Sequence, residues 1–209
     1  MQDRSYSDNM PKGRVETLAD GVFAIAMTLL AFNLQPPNAV HSSRDLEAAL
    51  LAMLPHFRTY VLSFVVIGIY WISHHSQFHY VRHVDRTLLW INIFFLMFVA
   101  TLPFSTAVLG RYENQQPAII LYGGNLLLVG LANALHWAYV THRRRLVAPD
   151  LPSQVVRLAM ARILLAPAVA AVCIGVSYIN VGWAVRFYYA ILIIYVLLAR
   201  RSSRAKDAR

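Results

Sequence analysis

The chain has 209 residues, of which 58% are hydrophobic and 14% charged, with a mean hydropathy of +0.49 and a formal net charge of +9. That composition leaves too little polar surface to cover a soluble globule of this size and marks a membrane protein. The cations sit in linkers and the tail, where anionic lipid headgroups are the natural partner rather than nucleic acid, and the single Cys173 rules out an intrachain disulfide.

A helix crossing the hydrocarbon core needs about 20 mainly apolar residues. Six segments approach or exceed that length: 15–34, 46–79, 85–110, 116–142, 154–178 and 181–200. The expectation is an all-α polytopic membrane protein with six spans in one domain, residues 1–209. Met1 to Gly13 is polar, and no small-residue cleavage pattern follows the first apolar segment, so it is read as part of the mature chain.

In the first segment, at about 100° per residue, Gly21, Ile25, Leu29 and Phe32 fall on one stripe. Asp20, Ala24, Met27 and Ala31 fall on another, with Thr28 between them. The small residues of the second stripe suit close approach by a neighbouring helix, and Asp20 needs a donor, for which Arg14 is a candidate. The plain alternative is that Ile25, Leu29 and Phe32 face lipid or core, as on an arbitrary apolar helix.

The second segment ends in a cluster, Trp71, His74, His75 and His79, in which His75 and His79 lie one turn apart. A metal-dependent oxygenase would need several such boxes, and His83 and His136 do not build them, so a hydrogen-bonded cluster is the better reading. Trp71 and His75 share a face; Asn92 in the third segment is expected to complete a network with Arg14 or Asp20. These histidines also titrate in the physiological range. Asn125, Asn133 and His136 on the fourth segment suit interhelical hydrogen bonds. Leu121-Tyr-Gly-Gly-Asn125 is a poor match to a carbonyl-lined potassium filter. Pro103 and Pro167 are expected kinks, and Arg162 and Arg186 are read as snorkelling to headgroups. Only a few residues around Tyr178-Ile-Asn180 separate the fifth and sixth segments, which therefore form a tight hairpin if both span.

Arg4, Lys12 and Arg14 precede the first span; Arg82 and Arg86 follow the second; Arg143 to Arg145 follow the fourth; Arg200 to Arg209 follow the sixth. By the positive-inside rule both termini, 1–13 and the basic tail 200–209, are cytoplasmic in the cell membrane, which also requires an even number of spans.

The string Arg14-Val-Glu-Thr-Leu-Ala-Asp20-Gly-Val-Phe-Ala-Ile-Ala-Met-Thr28-Leu-Leu30 resembles the first helix of the prokaryotic relatives of the lysosomal potassium channel, the transmembrane protein 175 family. Leu18 and Ala19 stand where the family carries Phe and Ser before the Asp, which removes one hydroxyl. The resemblance continues in Tyr70-Trp71-Ile-Ser-His74-His75, Leu89-Trp90-Ile-Asn92 and Leu102-Pro103-Phe104, and covers about half the chain. It implies a homotetramer of six-helix subunits whose first helices line a central potassium path. Its apolar rings fall on Ile25, Leu29 and Phe32, with Thr28 offering a hydroxyl nearby. Such a ring strips hydration without replacing it, favours potassium over sodium modestly, and closes by dewetting, so filter and gate are one structure.

The expected partners are thus further copies of the chain, membrane lipids and potassium ions, with no cofactor. Two other classes compete. A secondary transporter usually carries inverted repeats or helices broken around a midplane site; a non-transporting scaffold gives no reason for the Arg14, Asp20 and Ile25 to Phe32 arrangement. No constellation of nucleophile, base or metal ligands suggests an enzyme.

Overall fold

The computed structural model describes residues 11–37 and 41–190. Their α-helices include α1 Lys12–Leu29, α2 Ser43–Ala52, α3 Leu54–Tyr80, α4 Arg86–Ala100, α5 Leu102–Arg111, α6 Gln116–Thr141 and α7 Ser153–Ser177, with short 3-10 stretches at Leu30–Asn33 and His142–Arg144. Five helical runs are long and apolar enough to cross a membrane: Lys12–Asn33, Leu54–Tyr80, Arg86–Arg111, Gln116–Arg144 and Ser153–Ser177. The chain is thus a multi-pass, all-helical membrane protein. The expected sixth span, 181–200, is helical over 181–190; the rest of it lies outside the described residues, as do Arg4 and the basic tail.

Two of the expected segments are divided. The run 46–79 is not one span but a short amphipathic helix and a spanning one. Ser42 caps α2 by accepting from the Asp45 amide at 3.2 Å, α2 ends at Ala52, and Pro55 starts α3, where its missing N–H costs nothing. The third segment breaks at Thr101, two residues before Pro103, which opens α5 in the same way. There the Thr101 hydroxyl, with its one proton, has the Phe98 carbonyl at 2.8 Å and Asn125 Oδ1 at 3.2 Å as acceptors, so α6 lies against the break. Asp85 caps α4 through the Leu88 amide at 2.8 Å, and its other oxygen accepts from the Tyr139 hydroxyl at 2.7 Å, fixing the start of α4 to the end of α6. Pro167 lies inside α7 as expected.

Up-and-down spans put Lys12, residues 81–85 and residues 142–152 at one end and residues 34–53 and 112–115 at the other. At the first end the two loops meet in an isolated antiparallel bridge between Val81 and Val147, with the Arg82 amide donating to the Leu146 carbonyl at 2.8 Å. At the other, Arg58 pairs with Glu113 at 3.6 Å.

Packing follows the small residues. A Cβ on Gly130 would lie 2.7–2.8 Å from the ring atoms of Pro167, and one on Gly123 2.8 Å from Ile174 Cγ1, so α6 and α7 touch where α6 has no side chain. A buried core joins α1, α3, α4, α5, α6, α7 and the helical residues after them, around Phe23, Ile67, Tyr70, Phe95, Ile119 and Tyr122. Several polar groups inside it bond across helices: Ser63 lies 3.1 Å from the Tyr122 hydroxyl and accepts from Thr106 at 2.8 Å, Asn125 donates to Ser105 at 3.1 Å, and Tyr70 donates to the Leu126 carbonyl at 2.9 Å.

Candidate functional site

The first helix has two unlike faces. Val15, Ala19, Phe23 and Ala26, with Leu30 just beyond, are buried against the rest of the chain. Phe23 sits behind the helix between the Phe95 ring, at 5.9 Å, and the His74 ring, at 6.1 Å. The close approach that the sequence assigned to Ala24 and Ala31 is made instead by Ala19 and Ala26; Ala24 and Ala31 are exposed. Neither stripe read from the periodicity is the covered one: the buried stripe is a third, Ala19, Phe23, Ala26 and Leu30, because only tertiary contacts decide which side of the helix meets the bundle.

The other face carries Gly21, Ile25, Thr28, Leu29 and Phe32, and among the described residues no element packs on it. Ile25 is 60% exposed, Leu29 42% and Phe32 75%. Thr28 donates its hydroxyl to the Ile25 carbonyl at 2.9 Å, which leaves the oxygen lone pairs turned outward from the backbone. A Cβ on Gly21 would meet nothing within 4 Å. All four residues expected at the constriction thus share the uncovered side.

Both ends of this helix are tied to neighbours. Near the basic end, Trp71 Nε1 donates to Asp20 Oδ1 at 2.8 Å, and the Trp71 ring stacks on His75 with centroids 5.7 Å apart and planes at 26°. Asp20 therefore takes its donor from α3; among the described residues it makes no ion pair with Arg14, which is exposed. At the far end Asn33 Nδ2 donates to the Pro103 carbonyl at 3.2 Å, joining the 3-10 turn to α5.

Asn92 does not join Asp20, Trp71 and His75. It is buried against the adjoining face of α3, where its Oδ1 lies 2.8 Å from His74 Nε2. A second chain of buried amides and imidazole runs behind it: Gln77 Nε2 donates to Asn133 Oδ1 at 2.7 Å, Asn133 Nδ2 donates to Ser73 Oγ at 2.9 Å, and His136 Nδ1 lies 2.7 Å from Gln77 Oε1. The sequence pointed to interhelical bonds for Asn125, Asn133 and His136, and each makes one. Gln77 was missed, although its spacing of three and four from His74 and Ser73 puts all three on adjoining faces of α3. Among the described residues no three metal-ligating side chains converge.

Residues 14–103 match the family described as endosomal/lysosomal potassium channel TMEM175. A potassium channel of Streptomyces collinus is 36% identical over 172 residues, covering 80% of this chain and 83% of that one. The endosomal/lysosomal proton channel TMEM175 of Mus musculus is 41% identical over 113 residues, which span 51% of this chain and 23% of the mouse protein. Among solved structures, that of a lysosomal potassium-selective channel TMEM175 homolog from Chamaesiphon minutus is similar with a TM-score of 0.78 at 27% identity, over 89% of this chain and 96% of that one.

Proposed function

Because the chain belongs to the TMEM175 family of ion channels, we propose that it forms a potassium-permeable cation channel in the cell membrane, with four copies placing their first helices around one central path. Ile25, Leu29 and Phe32 form the apolar constriction, and Thr28 supplies the hydroxyl beside it. Arg14, Asp20, Trp71, His75 and Asn92 serve structure rather than permeation, and no cofactor is needed beyond the permeant ion. The basic end of the bundle, with both termini, faces the cytoplasm.

One observation carries this reading: α1 is packed on one side and leaves uncovered the side that bears Ile25, Thr28, Leu29 and Phe32. Lipid alone would account for exposed leucine and phenylalanine, but not for a glycine, a threonine and an aspartate held by tryptophan along the same helix. An apolar ring formed by copies of that face admits the more weakly hydrated potassium ion at lower cost than sodium, because nothing in the ring replaces the lost water. Selectivity is therefore moderate, and slight narrowing dewets the ring and stops conduction. The broken helix at Thr101 brings the transporter alternative to mind, but its polar groups bond to Asn125 and Phe98 inside the subunit rather than to a shared midplane site.

The test is ion flux into liposomes holding the purified protein, under potassium or sodium gradients, for the wild type, Ile25→Asn and Leu29→Ala. Potassium flux exceeding sodium flux, with the preference lost in the variants, is expected. Absence of flux in both gradients overturns the channel reading. A pH-sensitive dye in the same vesicles reads proton permeation, the activity printed for the mouse relative.

A further inference from the structure

At the basic end of the bundle, α6, the 142–152 loop and α7 enclose a pocket of about 190 Å3 lined by Thr141, Arg144, Ser153 and Arg157 over an apolar floor that includes Leu151 and Val156. Its two guanidiniums come from different elements. Arg143 and Arg144 both adopt left-handed backbone conformations, with φ of 49° and 54°, which turns the loop back on itself. The Arg144 side chain then reaches across it to the Pro149 carbonyl and to Ser153 Oγ, the latter at 3.3 Å. Two of its five N–H donors are used there, and the remainder are left for another acceptor. Arg157 is one turn into α7 from Ser153, on the same side of the helix. No carboxylate lines the pocket, and among the described residues the ion pairs, Lys12 with Glu16 and Arg58 with Glu113, are elsewhere.

We propose that this pocket binds a phosphate group, either the headgroup phosphate of an anionic phospholipid or a soluble phosphate. Two guanidiniums lining one pocket, with the Ser153 hydroxyl, match the donor set that a tetrahedral dianion or phosphodiester takes up, and Arg meets phosphate in bidentate geometry; the Thr141 hydroxyl is held by the Trp137 carbonyl at 2.7 Å. The start of α7 has no side-chain cap, and its positive end adds to the same field. The setting favours the lipid. At 1.5 Å per residue, the 26 residues of α6 span about 39 Å, longer than the roughly 30 Å hydrocarbon core, so Thr141 emerges at headgroup height. The apolar floor suits the glycerol and first acyl carbons below a phosphate, and α7 beside it turns Leu158 and Leu165 outward.

Native mass spectrometry of the full-length protein in detergent, titrated with phosphatidylglycerol or phosphatidylcholine, tests this, together with thermal unfolding in millimolar inorganic phosphate. Arg157→Gln removes one guanidinium from an exposed helical position without disturbing the loop, and Arg162→Gln, an exposed arginine of the same helix outside the pocket, is the control. Selective phosphatidylglycerol binding weakened about tenfold by Arg157→Gln and unaltered by Arg162→Gln supports the lipid form. Stabilisation by inorganic phosphate that Arg157→Gln abolishes, with no lipid difference, supports the soluble form. Equal behaviour of the wild type and Arg157→Gln in both arms, or a loss of lipid only in Arg162→Gln, overturns the site. Neither arm reads ion flux, so the outcome is independent of the channel assignment.

Discussion

A methyl group at position 130 would have nowhere to go. The rigid ring of Pro167 stands 2.7–2.8 Å from where it would sit, and a proline cannot rotate aside as a leucine can. Gly130→Ala is therefore expected to cost about 1–3 kcal/mol, read as a lowered unfolding temperature in detergent, whereas Gly124→Ala, with nothing within 4 Å, leaves it unchanged or raised. Gln77 poses the opposite problem, since its amide satisfies both Asn133 and His136 inside the bundle. Gln77→Leu strands two buried groups and should destabilise by about 1–3 kcal/mol in the same measurement. Asn133 and His136 were legible in the sequence because a lone polar residue in a long apolar run has to find a partner. Gln77 was not, because it sits in the polar stretch from Ser73 to His79, which reads as a helix end leaving the membrane. Asn92 was assigned the wrong partners for a related reason: a residue on α4 has two faces of α3 to choose from, and only packing decides that it meets His74.

For the elements, hydropathy found every described span but not all their breaks. Nothing apolar changes across Met53-Leu54-Pro55, so 46–79 read as a single helix; what divides it is backbone chemistry, a cap at Ser42 and a proline that starts a helix better than it continues one. The first helix was read only in part: Ile25, Leu29 and Phe32 do share one side, but the covered stripe, Ala19, Phe23, Ala26 and Leu30, was not singled out, because that choice depends on tertiary contacts that no single helix encodes. The link from α3 to α1 gives a separate prediction. Trp71→Phe keeps the ring that stacks on His75 but removes the N–H that Asp20 accepts, at part-exposed positions. If that bond only anchors the helix, the variant lowers thermal stability while its potassium-to-sodium flux ratio stays that of the wild type; a changed ratio would show that Asp20 and Trp71 act on the permeating ion.

The largest scale is the one the single chain leaves open. One subunit offers a packed bundle and an uncovered helix face, and closing that face onto copies of itself requires rotational symmetry. Mass photometry of the purified protein should give about four times 23.6 kDa, near 94 kDa before bound detergent. A mass of one or two chains would remove the proposed central path. The up-and-down spans gather Lys12, Arg14, Arg82 and Arg143 to Arg145 at one end and Arg44, Arg58 and Arg111 at the other.

The first helix is held near Asp20 by Trp71 and at Asn33 by the Pro103 carbonyl. In mechanical terms it is a rod bedded along one side, since Phe23, Ala26 and Leu30 between those ties are buried in the bundle, while the side bearing Ile25, Thr28, Leu29 and Phe32 is bare. Such a mounting resists sliding along the helix axis and leaves the bare side as the one free to shift. For the proposed channel, this mounting favours a small turn of the bare side over a piston stroke. A cross-link that stiffens positions 24 to 28 should therefore slow gating more than one placed at either end.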